Sequence, residues 1–122
     1  MIVTQIILPW PPVAMSPNAT RQGNWRGKTE AAKRYKADCW AICKAAGVRA
    51  IDAQSVEATI IFCPPSRRAF DLDNALARIK QGIDAIAEAI GVDDSKWRSI
   101  TLERGQVCKD GGIIVHIHEV SA

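Results

Sequence analysis

Apolar and polar positions along the chain divide it into six elements. Ile2, Val3, Ile6, Ile7 and Leu8 make a short apolar run closed by Pro9-Trp10-Pro11-Pro12. A run this brief, ended by residues that cannot donate to a ladder, predicts a strand over residues 2–8. Residues 13–27 hold Pro17, Asn18, Gly23, Asn24 and Gly27 and predict a loop. A helix is expected over residues 29–46, with Thr29 as N-cap and Gly47 just past its end. Trp40, Cys43 and Ala46 should supply part of its apolar face. Residues 55–63 read as a second strand, stopped by Pro64-Pro65. A second helix is expected over residues 74–90, ending at Gly91. Its Leu76, Ile79, Ile83, Ile86 and Ile90 fall within a sector of about 80° at helical spacing, which predicts the buried stripe. Residues 98–104 and 113–120 are two further strands, joined as a hairpin by a turn around Lys109-Asp110-Gly111-Gly112. The order β-α-β-α-β-β implies an α+β fold, an α/β sandwich in which two main helices pack on a mixed sheet.

Length and composition narrow the class. With 122 residues, 48% of them apolar and 24% charged, the chain suits one domain over residues 1–122. No apolar stretch is long enough for a membrane span, and Met1-Ile2-Val3-Thr4-Gln5 lacks the basic and apolar parts of a signal peptide. A cytoplasmic setting, without membrane partner or organic cofactor, is the expectation. Cys39, Cys43, Cys63 and Cys108 include no Cys-x-x-Cys pair, so a zinc or redox motif is unsupported and reduced, largely buried thiols are expected.

Charge is distributed unevenly. Residues 1–49 carry eight Lys/Arg against Glu30 and Asp38, whereas the remainder carries eight basic against eleven acidic residues. A basic segment ahead of an acidic one fits a protein that holds a polyanion in one region and a cation in another.

The acidic residues cluster in two tight pairs, Asp71-Leu72-Asp73-Asn74 and Val92-Asp93-Asp94-Ser95, with Arg67-Arg68 upstream and Lys80 between them. Two like charges 4 Å apart repel by about 1 kcal/mol in water and about 4 kcal/mol near a protein surface. A cation relieves that repulsion, and hard carboxylate oxygens beside guanidinium groups suggest a divalent metal working on phosphate. Asp73 is the expected N-cap of the second helix, Lys80 lies two turns along the same side, and Asp84 is placed to pair with it. A cap needs one carboxylate, so Asp71 is the residue that structure alone leaves unexplained.

These residues, with Leu8-Pro9-Trp10-Pro11-Pro12 near the start and Ile83-Asp84-Ala85-Ile86 in the second helix, resemble the RusA family of Holliday junction resolvases. The resemblance runs from about Ile6 to Arg104. It implies a small Mg²⁺-dependent endonuclease of phage or prophage type, with Mn²⁺ as a substitute, acting as a homodimer that nicks two opposed strands of branched DNA. Carried over by motif, the metal-binding and catalytic carboxylates are Asp71, Asp73 and Asp94, and the catalytic lysine is Lys80. The family's best-known spacing puts the lysine one turn after the second aspartate, where this chain has Ala77. Counting back from Asp84 places it at Lys80 instead.

DNA contacts are expected from Arg67, Arg68, Arg21, Arg26 and Lys28, with Trp25 in its basic loop as an aromatic for stacking. Phe70, which interrupts the arginine run before Asp71, is expected to pack, and Trp10 and Trp40 to fill the core. His116 and His118 alternate on the last strand and share a face. They lack a third soft ligand and read as surface residues. A non-catalytic branched-DNA-binding module is the rival reading. It leaves unexplained why anions would stand beside phosphates. A phosphotransferase built on Asp-x-Asp is a further one, for which Arg67-Arg68-Ala69-Phe70 is the wrong lead-in.

Overall fold

The structure, a computed structural model, describes residues 2–12 and 25–120, and side chains within residues 4–12 and 29–120. Its elements in chain order are β1 (Ile2–Leu8), α1 (Trp25–Ala45), β2 (Val56–Cys63), α2 (Leu72–Arg78), α3 (Lys80–Ile90), a single 3-10 turn (Asp94–Lys96), β3 (Ser99–Arg104) and β4 (Gly112–Glu119). The expected α+β fold with a mixed sheet is what forms. Among the described residues no helix is long and apolar enough to cross a membrane.

Strand order in the sheet is β1-β4-β2-β3. β4 lies between β1 and β2 and runs antiparallel to both, while β2 and β3 are parallel. The expected β3–β4 hairpin is therefore absent. Burial explains the correction. β4 alternates Ile113, Val115 and Ile117 at or below 1% exposure, the pattern of a central strand. β3 is exposed along almost its whole length, the pattern of an edge. An edge strand reached from β2 through two helices is the usual parallel crossover. Turn residues alone do not reveal that the strands they join face different neighbours.

Val56, Ala58, Ile60 and Phe62 of β2 and Ile6 and Leu8 of β1 join the β4 residues on one face of the sheet. Cys39 and Cys43 of α1, with Ile79, Ile83, Ile86 and Ile90, complete a single core against that face. Each such side chain fully buried contributes about 1.5–3 kcal/mol. α1 begins four residues ahead of the expected start, so Trp25, Arg26 and Lys28 belong to its first turns rather than to a loop. Their side chains, and the whole of Arg21, lie outside the described residues.

The face that α1 buries also differs from expectation. Tyr35, Cys39 and Cys43, spaced four apart, form its buried stripe. Trp40 sits a quarter turn away, 36% exposed, with the Lys44 ammonium 4.4 Å above its ring. Ala46 is exposed. Trp10 does pack on the core, as expected. Tyr35 donates its hydroxyl proton to Pro9 O at 2.7 Å, fastening α1 to the end of β1. Gly82 lets α3 approach closely, because a Cβ there would stand 3.0 Å from Leu8 Cδ1 and 3.2 Å from Tyr35.

The second expected helix is two helices. Ile79 leaves helical geometry at φ −104° and ψ 13° and separates α2 from α3. Its N–H reaches back three residues to Leu76 O at 3.2 Å, a tightened last turn. Ile79 itself stays fully buried, so the apolar stripe survives the break.

Candidate active site

Asp71 is the N-cap of α2, with extended backbone at φ −93° and ψ 137°. This corrects the expectation that Asp73 caps. The helix opens at Leu72, so Asp73 lies in its first turn, where a carboxylate meets the positive end of the helix dipole. The Asp71 carboxylate accepts no backbone N–H of the helix. Among the described residues it receives only the Asn74 side-chain amide, at 3.4 Å, while the Asp71 carbonyl takes the Ala75 N–H at 3.0 Å. Both aspartates are exposed, and among the described residues neither forms an ion pair.

The approach to Asp71 is held firmly. Phe70 packs edge-on against Trp10 at 5.8 Å and against Phe62 at 6.3 Å between ring centres, fulfilling the packing role expected of it. The Arg104 guanidinium lies 4.7 Å above the Phe70 ring and donates to Phe70 O at 2.8 Å. Arg78, from the last turn of α2, donates to Pro11 O at 2.7 Å and stands 5.9 Å over Trp10. The proline-rich segment after β1 and the entry to α2 are thus fixed by two arginines. Between them opens a cleft of about 340 Å³ lined by Trp10, Pro64, Pro65, Arg68, Phe70 and Arg78. Arg67 and Arg68 are exposed on the connection from β2 to α2, where Ser66 Oγ accepts the Arg68 N–H at 3.3 Å.

The other end of the unit is a different arrangement. Lys80 is the first residue of α3, and its ammonium lies 2.8 Å from Asp84 Oδ1 and 2.5 Å from Asp94 Oδ2. The Asp84 contact raises the Lys80 pKa above the ordinary lysine value, and Asp94 adds to it. Asp94 reaches this position because α3 ends at Gly91, in left-handed geometry at φ 74°, and the 3-10 turn follows at once. Asp93 is the cap of that turn. Its carboxylate accepts the Ser95 hydroxyl and backbone N–H, and the hydroxyl bond chiefly holds its pKa below the usual carboxylate range. The two aspartates of the second pair therefore act separately: one binds the lysine, the other shapes the turn.

Lys80, Asp84 and Asp94 are brought together, and Asp71 and Asp73 form a second group at the start of α2. The seven residues of α2 put about 10 Å of helix rise between the groups. Among the described residues no set of three or more His, Cys, Asp or Glu side chains is gathered tightly enough to hold a metal ion.

Asp84 belongs to the site and was visible in sequence only as a partner four residues beyond Lys80. Arg78 and Arg104 gave no comparable signal, since their acceptors are backbone carbonyls far away in the chain. His116 lies with His118 on the sheet face opposite the core, where its Nε2 meets Gln5 Oε1 at 3.1 Å. Cys39 and Cys43 are buried as expected, whereas Cys63 is half-buried and Cys108 exposed.

No family model matches the chain. It is 32% identical over 115 residues to an uncharacterized protein of Xylella fastidiosa (strain Temecula1 / ATCC 700964), an alignment covering 92% of this chain and 74% of that protein. The chain belongs to the same family as that Xylella protein.

Proposed function

We propose that this protein is a divalent-metal-dependent, structure-specific DNA endonuclease of RusA type, which resolves four-way junctions by paired nicks as a cytoplasmic homodimer. The observation that carries the reading is the contact of Lys80 with Asp94 across fourteen residues of sequence. A lysine from the aspartate-capped helical unit and an aspartate from the turn beyond it, both residues of the resembled motif, meet at one point.

The donor chemistry suits magnesium. Mg²⁺ accepts hard oxygens, keeps several waters, and binds through one or two carboxylates plus substrate phosphates rather than through a full protein cage. Asp71 and Asp73, exposed and without an ion-pair partner among the described residues, are the residues that would hold it, while Asp94 stands in the other group on Lys80. When bound, the ion supplies Lewis-acid stabilisation of the scissile phosphate and leaving oxygen.

The chain's own residues do the rest. Arg67 and Arg68 bind flanking phosphates and set the register of the backbone. Arg104 and Arg78 fix the Phe70–Asp71 approach, so the first aspartate is offered from a rigid support. Lys80 carries the positive charge that a developing oxyanion needs, and Asp84 keeps that ammonium in place. A two-fold dimer would present two such sites to the two equivalent strands of a junction.

The test is cleavage of a synthetic four-way junction by the wild-type protein and by Asp73→Asn, with Mg²⁺ present. Symmetrical nicking by the wild type and its loss in the variant are expected. Undiminished nicking by Asp73→Asn would remove the site assignment, and junction binding without cleavage by the wild type would favour the binding-module reading.

A further inference from the structure

We propose that Cys63 and Cys108 form a dithiol modification site, which closes to an intramolecular disulfide on reaction with a low-molecular-weight disulfide. The two residues stand forty-five positions apart in sequence. They meet because β2 ends at Cys63 and the connection from β3 to β4 folds back over that end.

Three bonds seat the connection. Gly105 donates its N–H to Phe62 O at 2.8 Å, Cys108 donates its N–H to Pro64 O at 3.0 Å, and the Cys108 thiol donates to Cys63 O at 3.6 Å. The Cys63 sulfur lies directly beneath this loop. A Cβ at position 105 would stand 2.6 Å from it, so only glycine leaves room there. One stretch of backbone thus encloses the first thiol and carries the second. To form the bond, Cys108 has to turn its sulfur from the Cys63 carbonyl toward the Cys63 sulfur.

Accessibility sets the order of events. Cys108 is exposed, Cys63 half-buried, and Cys39 and Cys43 are fully buried against the core. The Cys108 thiolate attacks one sulfur of the small disulfide, giving a mixed disulfide on Cys108 and releasing one thiolate. Burial holds the Cys63 thiol above its ordinary pKa, which suits it poorly to begin the exchange. It is well placed to finish it, since a neighbour within the chain competes at high effective concentration. Cys63 loses its proton to solvent and attacks Cys108 Sγ, expelling the second small thiolate. Two protein thiols are oxidised by two electrons, and the external disulfide is reduced to two thiols.

The bond would act on the site described above without depending on its function. Cys63 opens the stretch that runs through Arg67 and Arg68 to Asp71, and Arg104 already holds the far end of that stretch through Phe70 O. A Cys63–Cys108 disulfide pins the near end to the same connection.

The experiment treats the folded, full-length protein with glutathione disulfide, denatures it, alkylates the remaining thiols and maps the peptides by mass without reduction. The expected product is a Cys63–Cys108 cross-linked peptide, lighter by two hydrogens than the free pair, with Cys39 and Cys43 alkylated and the link reversed by dithiothreitol. Cys63→Ser should stop at a stable glutathione adduct on Cys108. A wild-type protein that itself stops at that adduct, links Cys108 between molecules, or joins Cys108 to Cys39 or Cys43 would overturn the proposal. Mapping of the wild type decides the matter even where a variant fails to fold.

Discussion

The two acidic groups on the α2–α3 unit invite direct comparison. At the start of α2, Asp71 and Asp73 are exposed and form no ion pair among the described residues. At the start of α3, Asp84 and Asp94 share the Lys80 ammonium at 2.8 and 2.5 Å. One group carries its cation within the chain, and among the described residues the other has none. Folding explains the second group without any ligand, because both carboxylates are bonded to one ammonium. It does not explain the first. Asp71 caps through its backbone, and its carboxylate meets the Asn74 side-chain amide but no cation among the described residues. The open group is therefore where an added cation should act, and the closed group is where the protein's own cation is held ready.

The sharpest way to break that contrast is to remove charge from each group and follow junction cleavage. Asp73→Asn should lower the rate by more than about 10²-fold, since loss even of an outer-shell partner of a metal ligand costs 10–100-fold. Lys80→Met should lower it by about 10²–10³-fold, the scale for one preorganised transition-state donor. Asp84→Asn should show a smaller loss, confined to kcat with KM unchanged, because Asp84 only positions Lys80. Equal losses in all three variants would mean that the two groups are not functionally distinct.

Part of this contrast could be read from sequence. Strands β1, β2 and β4 emerged from apolar runs bounded by prolines and glycines, within about a residue of their observed limits, because a strand with one buried face writes its alternation into the chain. β3 was located as an element but assigned the wrong neighbour. Its exposed residues carry no pairing information, and parallel pairing with β2 depends on two intervening helices rather than on a turn. The Lys80–Asp84 pair was legible because spacing four along a helix fixes which side chains meet. Contact with Asp94 was not, since it depends on how sharply the chain turns at Gly91. The break at Ile79 was hidden for a related reason: Ile79, Ile83, Ile86 and Ile90 keep one buried stripe through it. The cap was misplaced by two residues because Asp71 and Asp73 both satisfy the rule for helix starts, and only the Asp71 backbone shows which of them is outside the helix.

A second measurement sharpens the comparison without relying on catalysis. Mg²⁺ that binds the folded protein alone stabilises it by about 2.7 kcal/mol at a hundred times its dissociation constant. Thermal denaturation with increasing MgCl₂ should therefore show a rising midpoint in the wild type. The rise should vanish in Asp71→Asn/Asp73→Asn and persist in Asp84→Asn. Persistence in the double variant would move any cation site away from the start of α2.

Stability of the apo protein supplies a third, smaller contrast. Asp71→Asn keeps a good capping residue and removes like-charge repulsion, so stability should stay within about 0.5 kcal/mol of wild type or rise. A loss of several kcal/mol in urea denaturation would show that Asp71 is a structural hydrogen-bonding residue and that the open group is not open.

The smallest expected effect is at alkaline pH, where the closed group should give way. The Lys80 pKa is raised above its ordinary value of 10.5, first by Asp84 and then by Asp94. A raised folded-state pKa means that the folded protein holds this proton more tightly than the unfolded chain does. The resulting stabilisation is fully present below the ordinary lysine value and is lost as pH rises through the raised one. Lys80 is 52% exposed, so solvent screening limits the whole contribution to about 0.5 kcal/mol or less. Burial also raises the Cys39 thiol, to about 12, and the same window contains its ionisation. The informative quantity is thus the difference between wild type and Lys80→Met, which cancels the thiol. That difference should shrink with increasing pH above the lysine range and stay flat below it. A difference independent of pH would mean that Lys80 contributes through packing of its aliphatic stem, and that the closed group is not held by charge.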